Sequence, residues 1–242
     1  MGEPRLQGKI AAVTGGGRGL GRSIALALAS EGADVAFSYR ESRTGAEATA
    51  EEVRGLGRRV LTQPADARVP GEIAGFVCEA AERLGGLDVL VNSAGVFRRT
   101  PLESLSEQDL DEAFDVNVKA AVLASCAAAP FMRKRGGGVI VNVASLGGLR
   151  AWPNHLAYCA SKAALIMATQ SLALALAPQI RVNAVAPGIL EPPGAAPGLV
   201  KKVPQGRFGS HGEAVEAILF LATAATYTTG EVLRVDGGRA LA

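Results

Sequence analysis

The sequence predicts an α/β fold, a single domain over residues 1–242 built as one doubly wound parallel sheet with helices on both faces. Three observations predict it. Short, continuous, β-branched runs alternate with amphipathic stretches from end to end, and strands apolar on both faces belong to parallel sheets that helices cover on each side. No linker rich in Pro, Gly or Ser is long enough to divide the chain; the richest such stretch, 187–198, reads as a loop within one domain. Apolar residues make up 48% but aromatics only 5%, and the abundance of alanine and glycine suits helices packed closely on a sheet.

The elements follow in order. Residues 9–14 (KIAAVT) read as a buried strand and, beyond a glycine turn, 21–31 as a helix. Residues 34–39 and 60–64 are further strands, followed by helices over 46–56 and 71–84. A fourth strand at 87–92 (LDVLVN) leads into a long helix over 109–129, and a fifth at 138–143 (GVIVNV) into a second long helix over 157–177. A sixth strand at 180–184, a helix over 212–221 and a last strand at 231–235 complete the chain.

Composition narrows the function. Twenty-five Lys and Arg against 23 Asp and Glu leave +2, which argues against a nucleic-acid partner, since that function needs a basic stripe. Cys78, Cys126 and Cys159 form neither CxxC pairs nor a metal pattern with His155 or His211, so no metal is expected; they read as small buried hydrophobes of a reducing compartment. The first ten residues contain no apolar run of the kind a secretory signal needs. The most apolar long stretch, 163–177, is interrupted by Thr169, Gln170 and Ser171 and is short for a bilayer. A cytoplasmic protein with a small-molecule substrate and no membrane partner is the expectation.

The chemistry-bearing motifs lie at strand ends. Gly15, Gly19 and Gly21 fall in TGGGRGLG directly after the first strand, with Arg18 and Leu20 between them. Glycines there let the backbone turn tightly against a pyrophosphate, and the next helix offers free N–H groups and the positive end of its dipole. The second strand ends Ser38-Tyr39-Arg40, with no acid at its tip to hold a ribose 2′-hydroxyl. An arginine there accommodates the 2′-phosphate of NADP, and Arg18 supplies a second guanidinium; Glu41 works against this reading, and solvated surface arginines are the plain alternative. Tyr158 and Lys162 stand at i and i+4 at the start of a long helix, so phenol and ammonium share a face. A neighbouring cation lowers a phenol pKa and makes it a usable acid/base. Ser145, just after the fifth strand, places a hydroxyl for a substrate carbonyl. Asn117 puts a carboxamide in mid-helix, where it needs a partner and offers an ordering point for water behind Lys162. Asn92, Ala94 and Gly95 (in NSAG) and Pro187-Gly188 follow the fourth and sixth strands, at the carboxyl ends where open α/β sheets bind ligands.

Together these motifs resemble the short-chain dehydrogenase/reductase family over residues 9–238. The resemblance implies a Rossmann-type fold, NADP(H) as cofactor, and Asn117, Ser145, Tyr158 and Lys162 as a catalytic tetrad. It also implies that Asp66, with Ala67 beside it, contacts the adenine, that Lys162 binds the nicotinamide ribose, and that Pro187 and Gly188 border the nicotinamide. General likeness points to reduction of a carbonyl, as in 3-oxoacyl carrier-protein reductases. The alternative is a pteridine reductase-like enzyme, for which Trp152 would stack on a flat ring and Leu190 would line the lid; a non-catalytic NADP-binding regulator is the alternative of another class. Two departures stand out. NSAG replaces the commoner NNAG, and no Thr follows Pro187-Gly188. The segment 188–206, with Pro192 and Pro193, reads as a short, stiff lid near a possible docking patch of Lys201, Lys202 and Arg207. Small residues on more than one face of the two long helices, with the resemblance, imply a homotetramer.

Overall fold

The computed structural model describes residues 4–191 and 197–242. Seven strands, β1 (Ile10–Thr14), β2 (Asp34–Tyr39), β3 (Val60–Pro64), β4 (Val89–Asn92), β5 (Gly138–Val143), β6 (Ile180–Pro187) and β7 (Val232–Val235), form one sheet in the order β3-β2-β1-β4-β5-β6-β7. Every pairing is parallel. The alternating pleat divides each strand between two cores. Val13, Phe37, Val91 and Val141 pack under helices α1 (Gly19–Ser30), α2 (Arg43–Gly55) and α7 (His211–Thr223). Ala12, Leu90 and Ile140 face the other way, onto α3 (Glu72–Leu84), α5 (Ala120–Lys134) and α6 (Leu156–Leu176). The predicted doubly wound sheet is the observed one.

Four boundaries differ for physical reasons. The first strand begins at Ile10 because the Lys9 N–H turns back to the Leu6 carbonyl at 3.0 Å. The sixth strand runs to Pro187 rather than 184, since β7 pairs with it as far as Pro187 opposite Val235. The helix expected over 109–129 starts earlier, as α4 (Glu107–Phe114), because Ser106 and Asp109 make a reciprocal capping box. It then passes through one turn of π-helix (Asp115–Lys119) into α5, which continues beyond Pro130 to Lys134 with Met132 fully buried. The helices Glu107–Lys134 and Leu156–Leu176 are long and apolar enough to cross a membrane by length and composition alone, the second of them extending beyond the short apolar stretch 163–177. Here each lays one face, including Ala124 and Ala128 or Leu165 and Ala173, into the cores beside the sheet.

Chain order reverses between β1 and β4, and loops leaving neighbouring strands in opposite directions open a crevice at their carboxyl ends. The Thr14 hydroxyl ties that point together by accepting the N–H groups of Ser93 and Ala94, both at 3.0 Å.

Candidate active site

The glycine loop lines the crevice. Gly15 (φ +76°) and Gly19 (φ +54°) take left-handed backbone that other residues rarely adopt. At Gly21 a Cβ would collide with the Gly15 carbonyl. The helix α1 that follows has no side-chain cap, whereas α4 and α7 are closed by Ser106 and Ser210. Its first N–H groups therefore lack a side-chain partner in a turn that borders the crevice, which is the arrangement an anion needs.

The crevice is a groove of about 550 Å³. Gly15, Arg18, Gly19, Leu20, Gly21, Tyr39, Arg40, Asp66, Ala67, Ala94 and Gly95 all line it. Arg18 is exposed, and Arg40 pairs with Glu41 at 2.8 Å. Asp66 accepts hydrogen bonds from Arg68, down to 2.5 Å, and this guanidinium holds its carboxyl below the usual range. Asn92 is a correction. Its side chain points into the core and donates to Asn142 Oδ1 at 2.8 Å, beneath α5, so the amide does not reach the groove.

Beneath the groove, behind Gly95 and Val96, Asn117 is 1% exposed. Its Oδ1 accepts the Val96 N–H at 2.9 Å, and its Nδ2 donates to the Val96 carbonyl and to Ser161 Oγ at 3.1 and 2.9 Å. The partner its mid-helix position demands is thus the loop after β4, and the π-helical turn carries the residue there; such turns concentrate at functional sites. With these bonds made, its side chain has one lone pair to spare for water. Gly95 crosses directly above, where a Cβ would stand 3.2 Å from Asn117 Oδ1 and 3.6 Å from Lys162 Nζ.

Lys162 is 5% exposed and donates to the Val143 carbonyl at 2.7 Å. Burial lowers its ammonium to about 8. Tyr158, one turn earlier on α6, is held between the edge of Phe97 (4.7 Å, 83°) and the stacked Trp152 (6.1 Å, 21°). Burial pushes its phenol up from the ordinary value, and the nearby Ser145 hydroxyl opposes the rise. This corrects the spacing argument: among the protein's own groups the phenol is raised, not lowered, and the Lys162 bond goes to Val143. Ser145 leaves β5 in extended backbone, and its Oγ also accepts the Gly147 N–H at 3.0 Å.

Ser145 and Tyr158 open onto a second cavity, of about 1110 Å³. Trp152, Gly188 and Leu190 line it as expected, while Pro187 is buried at the end of β6. Gly188 donates to the Val235 carbonyl at 2.9 Å, and a Cβ there would press on the Asp236 backbone. Leu190 bridges to Gly209; Pro192 and Pro193 of the expected lid lie outside the described residues. Arg207 pairs with Glu213 at 2.6 Å and so leaves the expected patch, whereas Lys201 and Lys202 line the cavity. Phe97 belongs to both walls, and groove and cavity meet there. Sequence reading passed over it.

Gly147 tests how tightly this geometry is set. A Cβ there would lie 3.0 Å from the Tyr158 ring and 3.3 Å from Trp152. Gly147→Ala should displace the phenol by a few tenths of an ångström and reduce kcat roughly tenfold, given that a 1 Å misplacement can cost about a hundredfold. Cofactor affinity should stay within about twofold, because the groove is untouched; steady-state kinetics and fluorescence titration separate the two.

Comparison with known proteins adds to this geometry. The model of a family described as enoyl-(acyl carrier protein) reductase matches residues 15–240. The chain is 41% identical over 246 residues to an oxidoreductase of Mycobacterium tuberculosis, covering 97% of this chain and 93% of the relative. It is 36% identical over 243 residues to a 3-oxoacyl-[acyl-carrier-protein] reductase of Thermotoga maritima, covering 97% and 98%. A Burkholderia cenocepacia short chain dehydrogenase, solved in complex with NADP, superimposes with a TM-score of 0.93 at 39% identity over 97% of this chain and 99% of that one.

Proposed function

Because the chain belongs to the short-chain dehydrogenase/reductase family, we propose that it reduces a ketone with NADPH, using Tyr158 as the proton donor. The observation that carries this reading is that Ser145 and Tyr158 line a cavity suited to a small molecule, which meets at Phe97 a groove suited to a dinucleotide. The groove fits NADP(H): its glycine turn admits a pyrophosphate, α1 presents an uncapped N-terminus, and Arg18 and Arg40 stand where a 2′-phosphate would lie.

NADPH, when bound, supplies the hydride. Ser145 donates a hydrogen bond to the ketone oxygen and fixes its direction. Tyr158 stays protonated at neutral pH because burial raises its phenol, so it has a proton to give to that oxygen as the C–O bond becomes single. Lys162 keeps a positive charge below about pH 8 at the groove floor, where it favours the phenolate that proton transfer leaves behind and offers donors to a ribose hydroxyl. Asn117 acts at one remove by holding the Val96 loop, and through it Phe97, against the Tyr158 ring.

The test is oxidation of NADPH with acetoacetyl thioesters, small ketones and dihydropterins; no turnover on any carbonyl compound would defeat the reading. Trp152 already stacks on Tyr158 and carries Arg239 over its ring at 5.3 Å, which leaves little of it for a pterin. NADPH should bind more tightly than NADH. Arg40→Ala should weaken NADPH roughly tenfold and NADH hardly at all, as expected for a charge-assisted contact that is partly exposed. The Arg40–Glu41 pair opposes this only weakly, since exposed pairs contribute about 0–1 kcal/mol. Equal affinities in the wild type would remove the 2′-phosphate assignment.

Two further parts of the reading concern setting and assembly. The three cysteines are free thiols, in keeping with a reducing cytoplasm. Leu123 on α5 and Met167 and Leu174 on α6 are exposed, with Leu174 at 84%, on helices whose other faces are buried. These unpartnered apolar faces suit a homotetramer, and light scattering that found only 24.7 kDa monomers at micromolar concentration would rule it out.

A further inference from the structure

The wall of the larger cavity carries a charge that the reduction itself does not use. Five cations line it: Arg99, Arg150, Lys201, Lys202 and Arg239. No Asp or Glu lines it among the described residues, although the chain as a whole is nearly balanced at +2. Many cations elsewhere pair with carboxylates, from Arg5 with Glu31 to Arg207 with Glu213, although some, such as Arg18 and Arg58, do not among the described residues. Arg150 meets the terminal carboxylate of Ala242, but Arg99, Lys201, Lys202 and Arg239 have no Asp or Glu carboxylate within 4.0 Å among the described residues.

Arg150 and Arg239 crowd each other. Arg150 donates to the backbone carbonyl of Arg239 and to the terminal carboxylate of Ala242. The Arg239 guanidinium is pushed down by burial and by the charge of Arg150, with only Asp236 opposing. The Asp236 carboxylate accepts the N–H groups of Gly238 and Ala240 at 3.0 and 2.7 Å, so it is largely spent on the backbone. Like charges held together beside apolar surface focus a positive potential in the cleft and favour an anion there. On the side of the reacting groups the same cavity is aromatic, with Phe97 and Trp152 flanking Tyr158.

We propose that the substrate is an oxo acid: a ketone on an apolar or aromatic frame that bears its own carboxylate or phosphate. The ketone meets Ser145 and Tyr158, the frame lies along Trp152 and Phe97, and the anion is received by the cations that enter from four separate segments, the loop after β4, the turn before α6, the helix over Pro197–Lys202 and the chain beyond β7. The proposal rests on the ketone-reductase reading and narrows its substrate class. A free oxo acid fits better than a carrier-borne thioester, because the cations stand inside the cavity wall with the reacting groups and Arg207, which would extend them outward into a docking patch, is closed by Glu213.

Matched pairs test it: levulinate against methyl levulinate, and 4-acetylbenzoate against methyl 4-acetylbenzoate, with acetoacetyl carrier-protein thioester as a third arm. The wild type should show kcat/KM at least tenfold higher on an acid than on its ester, with the ratio shrinking as salt rises from 0.05 to about 0.5 M because the attraction is screened. Lys202→Gln and Arg239→Gln should each lower the acid-to-ester ratio, mainly through KM. Calorimetric titration of the two acids into the enzyme–NADPH complex gives a readout independent of turnover. Salt-sensitive acid binding without turnover would sustain the anion site while overturning the ketone-reductase reading. Ester turnover equal to or above that of the acids, a preference for the carrier thioester, or absence of acid binding would each overturn the oxo-acid proposal.

Discussion

Tyr158→Phe is expected to cut turnover by about a hundred- to ten-thousandfold, the range general acid catalysis contributes, while leaving NADPH affinity within about twofold. The ring is held by its faces and edges, against Phe97 and Trp152, and phenylalanine keeps those contacts. What it loses is the hydroxyl beside Ser145, whose proton the ketone oxygen needs. Single-turnover mixing of the NADPH-loaded variant with a ketone isolates the chemical step from product release. A near-normal rate there would mean that another group delivers the proton. A comparable fall in both rate and NADPH affinity would mean instead that the ring had moved, and the circular dichroism and melting temperature of the variant would reveal it.

The strands were legible in the sequence because each is buried on two faces, which leaves a continuous apolar run that neither a loop nor an amphipathic helix produces. Helix limits were less so. The start of α4 is set by the reciprocal capping of Ser106 and Asp109, and α5 persists beyond Pro130 because Met132 and its neighbours are buried, a tertiary effect that overrides the proline signal. The groove residues could be read because glycines and polar residues at strand ends have few other uses. Asn92 shows where that logic fails. It belongs to the last position of β4, in register with Asn142 of β5, and the pleat turns its amide inward while the loop after it turns out. The sense of the Tyr158 shift also escaped sequence reasoning. Spacing reports that Lys162 shares a helix face with it, but not that burial of the ring dominates or that Val143 takes the lysine's hydrogen bond. Phe97 and the convergence of the cavity's cations were invisible for a simpler reason: Arg99, Arg150, Lys201 and Arg239 come from distant parts of the chain and meet only in the folded protein.

Lys162→Met is expected to separate activity from stability more sharply than any other substitution here. Turnover should fall by about a hundredfold or more, since no other cation stands at the groove floor to favour the phenolate. In the wild type, burial lowers the ammonium from 10.5 to about 8. At pH 7 the group is charged in both folded and unfolded chains, and the fold bears the full cost of burying that charge. Between pH 8 and 10 the folded state has released the proton while the unfolded state still holds it, so stability rises with pH, by up to roughly 3 kcal/mol from this group. Methionine removes the ammonium and its burial cost together, and leaves the Val143 carbonyl without its donor, a loss of about 1–3 kcal/mol. The two changes nearly offset at pH 7, and the variant should melt there close to the wild type. At pH 10 the wild type should be the more stable of the two by roughly 3 kcal/mol more than at pH 7, as urea unfolding without added cofactor would measure. Parallel pH profiles for the two proteins would show that Lys162 does not titrate near 8 in the folded chain. The role given to its charge in reduction below that pH would then have to pass to another group.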